Sequence, residues 1–193
     1  MSRLTEIRVP EGILAGARAG DAGAQAQLYA LVAPGVFTLI RRIVGVRAVA
    51  EDVFQDTMIA MFEQLDQYRQ EAPLGAWVGK IGLSRSLMFL RSPWHRARLS
   101  FGSNADAETL LDAATVSLPG PDPAALDVER ALASLTPTAR AVVWLYEVEG
   151  WTHEEIARSF GRTVSFSKSQ LARAHQRLRA WFEPEASQTC APT

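Results

Sequence analysis

Apolar residues recur at helical spacing along the first part of the chain. Within residues 21–47 they lie three or four positions apart, which predicts an amphipathic helix: Leu28, Leu31, Val32, Val36, Phe37, Ile40 and Val44. Pro34 and Gly35 interrupt this pattern, so we expect either a kink or two consecutive helices. Residues 1–20 show only weak periodicity, and we expect them to form a short, partly ordered N-terminal arm.

A second helix is predicted over residues 48–68, with one apolar face and one acidic face. The apolar face consists of Phe54, Met58, Met61, Phe62 and Leu65. The acidic row is formed by Asp52, Asp56, Glu63 and Asp66, with Glu51 and Gln55 beside it. Such a row is ordinarily a solvated surface. We expect it to lack i,i+4 partners among Lys and Arg, which makes it a candidate docking surface for a basic partner.

A third helix is predicted over residues 73–92, and Pro73 suits its first turn because that N–H would be unpaired in any helix. Two of its faces are apolar. A polar stripe of Lys80, Ser84 and Arg91 runs between them. Residues 93–123 then follow no helical pattern, and we interpret them as a flexible linker between two domains.

After the linker the helical pattern resumes with two helices, over residues 125–135 and 136–150. The second of these begins at Thr136, with Pro137 in its first turn, and stops at Gly150. The chain as a whole is therefore predicted to be all-α, with two small helical domains, at residues 21–92 and 124–182. Residues 183–193 are predicted to be a polar tail.

A helix-turn-helix is predicted within the second domain. Thr152 and Glu155 form a capping-box pair that opens its first helix. Gly161 ends that helix, because glycine tolerates the left-handed backbone conformation. Thr163 caps a second helix, whose surface is basic and carries no acidic residue as far as Arg179. Such a helix can enter the major groove of DNA; the alternative is an ordinary surface hairpin with solvated charges.

Charge is unevenly distributed along the chain, although the formal net charge is only −1. Residues 69–98 are strongly basic, with Glu71 as their single acidic residue. Residues 99–129 are acidic and contain neither Lys nor Arg. Two basic segments separated by an acidic one favour a nucleic-acid partner more than the overall charge suggests.

Several other classes of protein are disfavoured by the composition. Cys190 is the single cysteine, so a disulfide framework within the chain is impossible and a cysteine-based metal site is not expected. No Cys or carboxylate lies beside the histidines at ligand spacing, and no Gly-rich phosphate loop is present. We therefore expect no metal, no cofactor and no enzymatic activity. We identify neither a signal peptide nor a run that could span a bilayer, and we expect a cytoplasmic protein.

Two stretches of the chain resemble bacterial sigma factors of the extracytoplasmic-function (ECF) group. Residues 124–182 resemble region 4 of that family; the matching positions are Leu135, Pro137, Arg140, Gly150, Glu155, Ile156, Ala157, Gly161, Lys168, Ser169, Leu171, Arg173, Ala174 and Leu178. Two further segments resemble successive parts of region 2 of the family: AEDVFQDTMIAMFEQLDQY and PLGAWVGKIGLSRSLMFLRS. The two motifs stand in the family's order, with its characteristic linker between them.

The resemblance implies a non-enzymatic subunit that binds core RNA polymerase and directs it to promoter DNA. The acidic helix would dock on the clamp coiled coil of the polymerase through Glu51, Asp52, Gln55 and Asp56. The third helix would read and help to melt the −10 element through Lys80, Ser84, Arg85, Met88 and Arg91. The last helix would read the −35 element through Ser165, Phe166, Lys168, Ser169, Ala172, Arg173 and Arg177. An anti-sigma factor is a further partner that the resemblance implies.

The sequence departs from the family pattern at several of these positions. Ser84 and Met88 stand where Asn and Asp are usual in region 2. Ser165, Phe166 and Ser167 stand where Gly, Thr and Val are usual. Gln170 stands where an Arg usually follows Ser169, and His175 replaces a further Arg. Phe166 can touch a thymine methyl group or simply pack against protein, and both alternatives stay open. The bases read at either element therefore cannot be transferred from a relative.

A different interpretation is a helix-turn-helix regulator that binds DNA without any sigma role. Its DNA-binding half would look similar to residues 124–182. It would not explain the first 92 residues, in which an acidic helix is followed by a basic helix that contains Trp77. This combination favours the sigma factor.

Overall fold

The computed structural model describes residues 4–92 and 123–183, and no β-strand occurs in these two ranges. The first range contains a 3₁₀ turn (Leu4–Glu6), α1 (Glu11–Arg18), α2 (Ala22–Val44), α3 (Arg47–Glu63), a 3₁₀ turn (Leu65–Gln67) and α4 (Leu74–Arg91). The second contains α5 (Pro123–Ala133), α6 (Pro137–Val143), a π-helical turn (Trp144–Val148), α7 (His153–Phe160) and α8 (Val164–Phe182). The predicted all-α class with two helical domains is confirmed. Almost all of the predicted linker, and Cys190, lie outside the described residues.

Helix α2 is the centre of the first domain and contacts α1, α3 and α4. Its buried residues are Ala24, Leu28, Val32, Val36, Leu39, Ile40, Ile43 and Val44. The chain forms one helix here rather than two, with Pro34 inside it. Proline removes one backbone hydrogen bond, but Val32 and Val36 on either side of it are fully buried, and this packing holds the helix together.

Helix α2 is also long and apolar enough to cross a membrane, so the prediction that no run could span a bilayer is wrong by length and composition. In the folded chain its apolar residues form the core instead. A helix that is buried on several sides has the same composition as a membrane span. Only the packing of the neighbouring helices distinguishes the two.

The N-terminal residues are more ordered than predicted. Helix α1 buries Leu14 and Ala17, and the guanidinium group of Arg18 donates to the carbonyl oxygen of Leu65 at 3.1 Å. A helix of only two turns contains too few apolar positions for its period to be recognised in the sequence. The side chain of Leu4, further upstream, is also buried.

Helices α3 and α4 complete the first domain. Helix α3 ends at Glu63, and the rest of the predicted helix is the short 3₁₀ turn. Pro73 is the residue that precedes α4. Both apolar faces of α4 contain buried residues, namely Leu74, Val78, Leu83 and Leu87, but Met88 on the first of these faces is exposed.

The second domain is a small helical core that carries the helix-turn-helix. Thr136 accepts a hydrogen bond from the amide of Ala139 and so begins α6 as predicted. The helix predicted to run to residue 150 changes instead into the π-helical turn after Val143. The buried side chains of this domain include Val142, Leu145, Ile156, Phe160, Leu171 and Ala174. The two domains are in contact, because α2 touches α6 and α4 touches α7.

The predicted capping box at the start of α7 is present. The Thr152 hydroxyl accepts from the amide of Glu155 at 3.2 Å, and Glu155 Oε2 accepts from the amide of Thr152 at 2.9 Å. These hydrogen bonds from Thr152, together with the nearby charges of Lys80 and Arg158, lower the pKa of Glu155 below its usual value. Gly161 ends the helix in the left-handed conformation, at φ +61°.

Replacing Ile40 tests the central position of α2. Ile40 is 0% exposed and Ile59 is 57% exposed. We expect Ile40→Ala to lower the free energy of unfolding by about 2–5 kcal/mol, because it leaves a cavity in the core. Ile59→Ala is the control, with an expected change within about 0.5 kcal/mol. Urea unfolding followed by circular dichroism measures both, and equal losses would contradict this packing.

Replacing Thr152 tests the capping box. We expect Thr152→Ala to cost about 1 kcal/mol of stability, whereas Thr152→Ser keeps the hydroxyl and should cost little. Because the folded state lowers the pKa of Glu155, its contribution is present above the unfolded pKa and is lost as the pH falls through the folded value. The penalty of Thr152→Ala should therefore shrink in acid. A penalty that is independent of pH would mean that Glu155 takes no part in the cap.

Candidate polymerase and DNA interfaces

The acidic row lies on the surface of α3, opposite the residues that α3 buries. Glu51, Asp52, Gln55, Asp56 and Glu63 are all exposed, and we call them the acidic face. The expectation that this row has no basic partner is wrong for Glu51. Arg47 Nε lies 2.8 Å from Glu51 Oε1, in an exposed i,i+4 ion pair. The pattern missed this pair because Arg47 precedes the predicted start of the helix.

Asp66 belongs to a different part of the surface. It lies in the 3₁₀ turn after α3, where its carboxylate is 4.0 Å from Arg18 Nε. Among the residues that the structure describes, Asp52, Asp56 and Glu63 form no ion pair. The acidic face therefore keeps most of its charge available for a partner outside the chain.

Ile59 lies within the acidic face and was not predicted as part of it. It follows Asp56 by three residues and precedes Glu63 by four, so the three side chains share one side of the helix. More than half of its surface is exposed. An apolar side chain with a polar rim is the usual composition of a protein interface. Helical spacing from Asp56 was the signal that could have identified it.

A cleft of about 320 Å³ lies between α3 and α4. Its lining residues are Val49, Asp52, Val53, Asp56, Arg85, Met88, Phe89 and Ser92. It therefore brings the two carboxylates of the acidic face close to two of the predicted −10 residues, Arg85 and Met88. Met88 is 66% exposed, although it stands where the family usually has Asp.

The polar stripe of α4 is on the surface as predicted. Lys80, Ser84 and Arg91 are exposed, whereas Arg85 is partly buried at the cleft. Arg91 Nη2 donates a hydrogen bond to the carbonyl oxygen of Phe160, at the end of α7, with a distance of 3.0 Å. One of the predicted −10 residues is thus engaged by the helix-turn-helix.

Helix α8 presents most of the predicted −35 residues to the outside. Thr163 caps it by accepting from the amide of Phe166, and Leu171 and Ala174 face the core as predicted. The exposed predicted residues are Ser165, Lys168, Ala172, Arg173 and Arg177. Ser169 is partly buried, and its hydroxyl donates to the carbonyl oxygen of Phe166 at 2.9 Å.

Three of the departures from the family pattern in α8 have structural partners. Ser167 is buried, with its hydroxyl 3.0 Å from His153 Nδ1, so it joins the two helices of the motif. His175 Nε2 lies 3.0 Å from Glu147 Oε1 in the π-helical turn, which places the imidazole beside the domain's own surface. The ring of Phe166 is partly buried, 5.9 Å from the ring of Phe160. This contact supports the alternative in which Phe166 packs against protein, and its contact with a thymine methyl group stays a prediction.

Two exposed polar residues of this region were not among the predicted ones. Arg162 lies in the turn directly before α8, beside the helix N-terminus that approaches DNA in this motif. Gln176 follows Ser169 by seven residues and Arg173 by three, so it lies on the same exposed face. The spacing of the predicted residues would have identified Gln176. Arg162 was missed because it precedes the helix.

Comparisons with known proteins agree with this organisation. The family "Sigma-70 region 2" matches residues 28–98, and "Sigma-70, region 4" matches residues 125–178. The ECF RNA polymerase sigma factor SigL of Mycobacterium tuberculosis is 30% identical over 170 residues, which cover 86% of this chain and 93% of SigL. CarQ of Myxococcus xanthus is 29% identical, over 84% of this chain and 91% of CarQ. SigE of Mycolicibacterium smegmatis is 28% identical over 80% of this chain, and the match spans only 60% of SigE.

Two solved structures share the fold. The sigma factor RpoE of Bartonella quintana, in complex with the anti-sigma factor NepR, has a TM-score of 0.58 at 23% identity, with 83% of this chain and 97% of that chain covered. CnrH in complex with the cytosolic domain of CnrY has a TM-score of 0.55 at 23% identity, with 90% and 97% covered. Both regions and the full-length relatives lead to one conclusion: the chain belongs to the ECF group of the sigma-70 family of RNA polymerase sigma factors.

Proposed function

We propose that this sigma factor docks on core RNA polymerase through the acidic face of α3 and reads its promoter with α4 and α8. The observation that carries the proposal is the exposed acidic face, most of whose carboxylates lack an ion pair within the described residues. Charges of one sign on one side of a helix steer and orient a partner of opposite charge. Ile59 would supply the apolar contact at the centre of that interface.

Helix α4 would bind the −10 element. Its exposed stripe provides Lys80 and Arg91 to contact the phosphate backbone of the DNA and Ser84 to form a hydrogen bond with the DNA. The adjacent cleft offers Arg85, with the apolar side chains of Met88 and Phe89, to a base that leaves the stack. Cationic grooves with apolar or aromatic side chains hold unstacked bases in this way.

Helix α8 would lie in the major groove of the −35 element. Arg173 is our choice for the base contact, because its guanidinium group can donate two hydrogen bonds to guanine, whereas Lys168 presents a compact charge. Arg177 lies one turn further on and is proposed to meet the backbone. Arg162, at the N-terminal end of the helix, is placed for a further phosphate contact.

The chain would act in the cytoplasm, without catalytic activity of its own and without a cofactor. RpoE was solved in complex with the anti-sigma factor NepR, and CnrH in complex with the cytosolic domain of CnrY. We propose an anti-sigma factor as a partner of this chain too. A helix-turn-helix regulator without a sigma role is disfavoured, because it would leave region 2 without a function.

Charge reversal on α3 tests the polymerase contact. We expect the double variant Asp52→Lys/Asp56→Lys to lose most of its binding to core RNA polymerase in a pull-down, because like charges would then meet across the interface. Its helical content should be unchanged, since exposed charges rarely decide stability. Glu11→Lys/Glu71→Lys is the matched control: it makes the same change in charge at exposed residues outside α3. Undiminished binding by the α3 variant would remove this helix from the interface.

Alanine replacements on α8 test the DNA contact. If Arg173 reads guanine, Arg173→Ala should cost about 1–3 kcal/mol at one base pair and relax the preference there. Arg177→Ala should weaken binding evenly across sequences and reduce the salt slope by about one. Arg8→Ala removes the same charge from the exposed surface of the first domain and is the control. Binding to every single-base version of a selected −35 site separates these cases, and equal losses on all sites for Arg173→Ala would refute its base contact.

A further inference from the structure

A small cavity lies where the C-terminal end of α2 meets α5 and α6. Its lining residues are Arg41, Arg42, Glu129, Leu132, Ala133 and Arg140. Its volume is about 20 Å³, which leaves room for one water-sized group. These residues lie outside the acidic face of α3, the polar stripe of α4 and the exposed face of α8. The cavity is therefore distinct from the surfaces proposed to meet the polymerase and the promoter.

Positive charge predominates around this cavity. Among the described residues that line it, three guanidinium groups stand against the single carboxylate of Glu129. That carboxylate is already ion-paired with Arg42, whose guanidinium group also lies 5.0 Å from the centre of the Trp144 ring. The C-terminal end of α2 contributes about half of one negative charge, which is less than the full positive charge of Arg41. The cavity should therefore attract an anion.

Arg41 supplies a hydrogen-bond donor that needs an acceptor. It lies in the last turn of α2, and its Nη1 atom is buried. No acceptor for this atom occurs within the ranges 4–92 and 123–183. Burial, and the neighbouring charge of Arg42, lower the pKa of Arg41 below its ordinary value. An anion within hydrogen-bonding distance would provide the acceptor and offset the cost of burying this charge.

Arg140 reaches the same cavity from the second domain. It is 7% exposed, and its guanidinium group lies against Gly45, the residue that caps the C-terminal end of α2. A Cβ atom on Gly45 would lie only 3.0 Å from Arg140 Nη2, so the absence of a side chain there permits the close approach. Arginines from two domains are thus brought to one small space.

The chemistry of the lining favours one class of anion. A guanidinium group is planar and donates paired hydrogen bonds to the oxygens of a phosphate or a carboxylate. The cavity has room for one such oxygen. The side chains of Arg42 and Glu129 are 27% and 40% exposed, so the rest of the anion can remain in water beside them. A phosphoryl group carries about −1.5 to −2 charges at pH 7, more than a carboxylate, and better overcomes the repulsion of Glu129.

We propose that this cavity is a binding site for a phosphoryl oxyanion, held by Arg41, Arg42 and Arg140. One oxygen enters the cavity and accepts a hydrogen bond from Arg41 Nη1, while the other oxygens stay at the mouth beside Arg42. Glu129 limits the affinity, because its carboxylate repels the anion and occupies Arg42. The group can belong to inorganic phosphate or to the terminal phosphate of a larger molecule. This activity goes beyond the proposed function, since it gives the chain a small ligand of its own.

Calorimetric titration of the full chain with sodium phosphate tests the site. The full chain is used because acidic residues within 99–129 compete for the same cations. Sodium chloride holds the ionic strength constant, so that general screening is equal in every titration. We expect saturable binding in the low millimolar range or below, with a rise in Tm as phosphate is added. A wild-type chain with no saturable binding, and with no rise in Tm beyond that in sodium chloride, would overturn the proposal.

Two substitutions should change the affinity for phosphate in opposite directions. Arg41→Gln removes a positive charge from the cavity and should weaken binding about tenfold. Glu129→Gln removes the repelling carboxylate and releases Arg42, so it should tighten binding about tenfold. Arg8→Gln removes the same charge at an exposed residue of the first domain and is the matched control. General damage to the fold cannot tighten binding, so the opposite signs separate an anion site from a structural effect.

Circular dichroism establishes whether Arg41→Gln is folded. If it loses helix, Arg41→Lys takes its place, because lysine keeps the charge but lacks the planar fork, and binding should still weaken. Unchanged affinity in the folded Arg41 variant would put the anion elsewhere and overturn the proposal. Unchanged or weaker affinity in Glu129→Gln would do the same.

Sodium pyrophosphate distinguishes the two sources of the phosphoryl group. Its second phosphoryl group would remain outside the cavity, beside Arg42. Tighter binding of pyrophosphate than of phosphate would identify the terminal phosphate of a larger molecule as the ligand class, and tighter binding of phosphate would identify the free anion. These titrations contain neither polymerase nor DNA, so failure of the anion site is distinguishable from failure of the proposed function, which the core pull-down reports.

Discussion

The burial of α2 is the constraint on which the rest of this structure depends. Its residues Val32, Val36 and Ile40 are fully buried, and α1, α3 and α4 pack around it. Because α3 must turn its own apolar stripe toward α2, its carboxylates are left on the outside. The polar stripe of α4 lies on the outside for the same reason, because α4 also packs against α2. Surfaces that would meet the polymerase and the −10 element are thus consequences of how one core helix is covered.

Local signals in the sequence predicted most of the helices and the caps of the helix-turn-helix, because a cap depends on residues only a few positions apart. Features that depend on distant residues were missed. The continuity of α2 through Pro34 needs the packing of its neighbours, and the order of α1 needs the carbonyl oxygen of Leu65. The contact of Glu149 with Leu4 joins residues 145 positions apart, and no periodicity could reveal it.

The candidate sites show the same division between local and distant information. The exposure of Arg173 and Arg177 followed from the core stripe of α8, which helical spacing predicts. The partners of Ser167 and His175 did not follow from helical spacing. Ser167 lies beside His153 of α7, and His175 lies beside Glu147 of the π-helical turn. These pairs indicate that two of the departures from the family pattern, Ser167 and His175, have partners within the domain. They make α8 fit its own scaffold, so the −35 sequence must be deduced from the outward-facing residues alone.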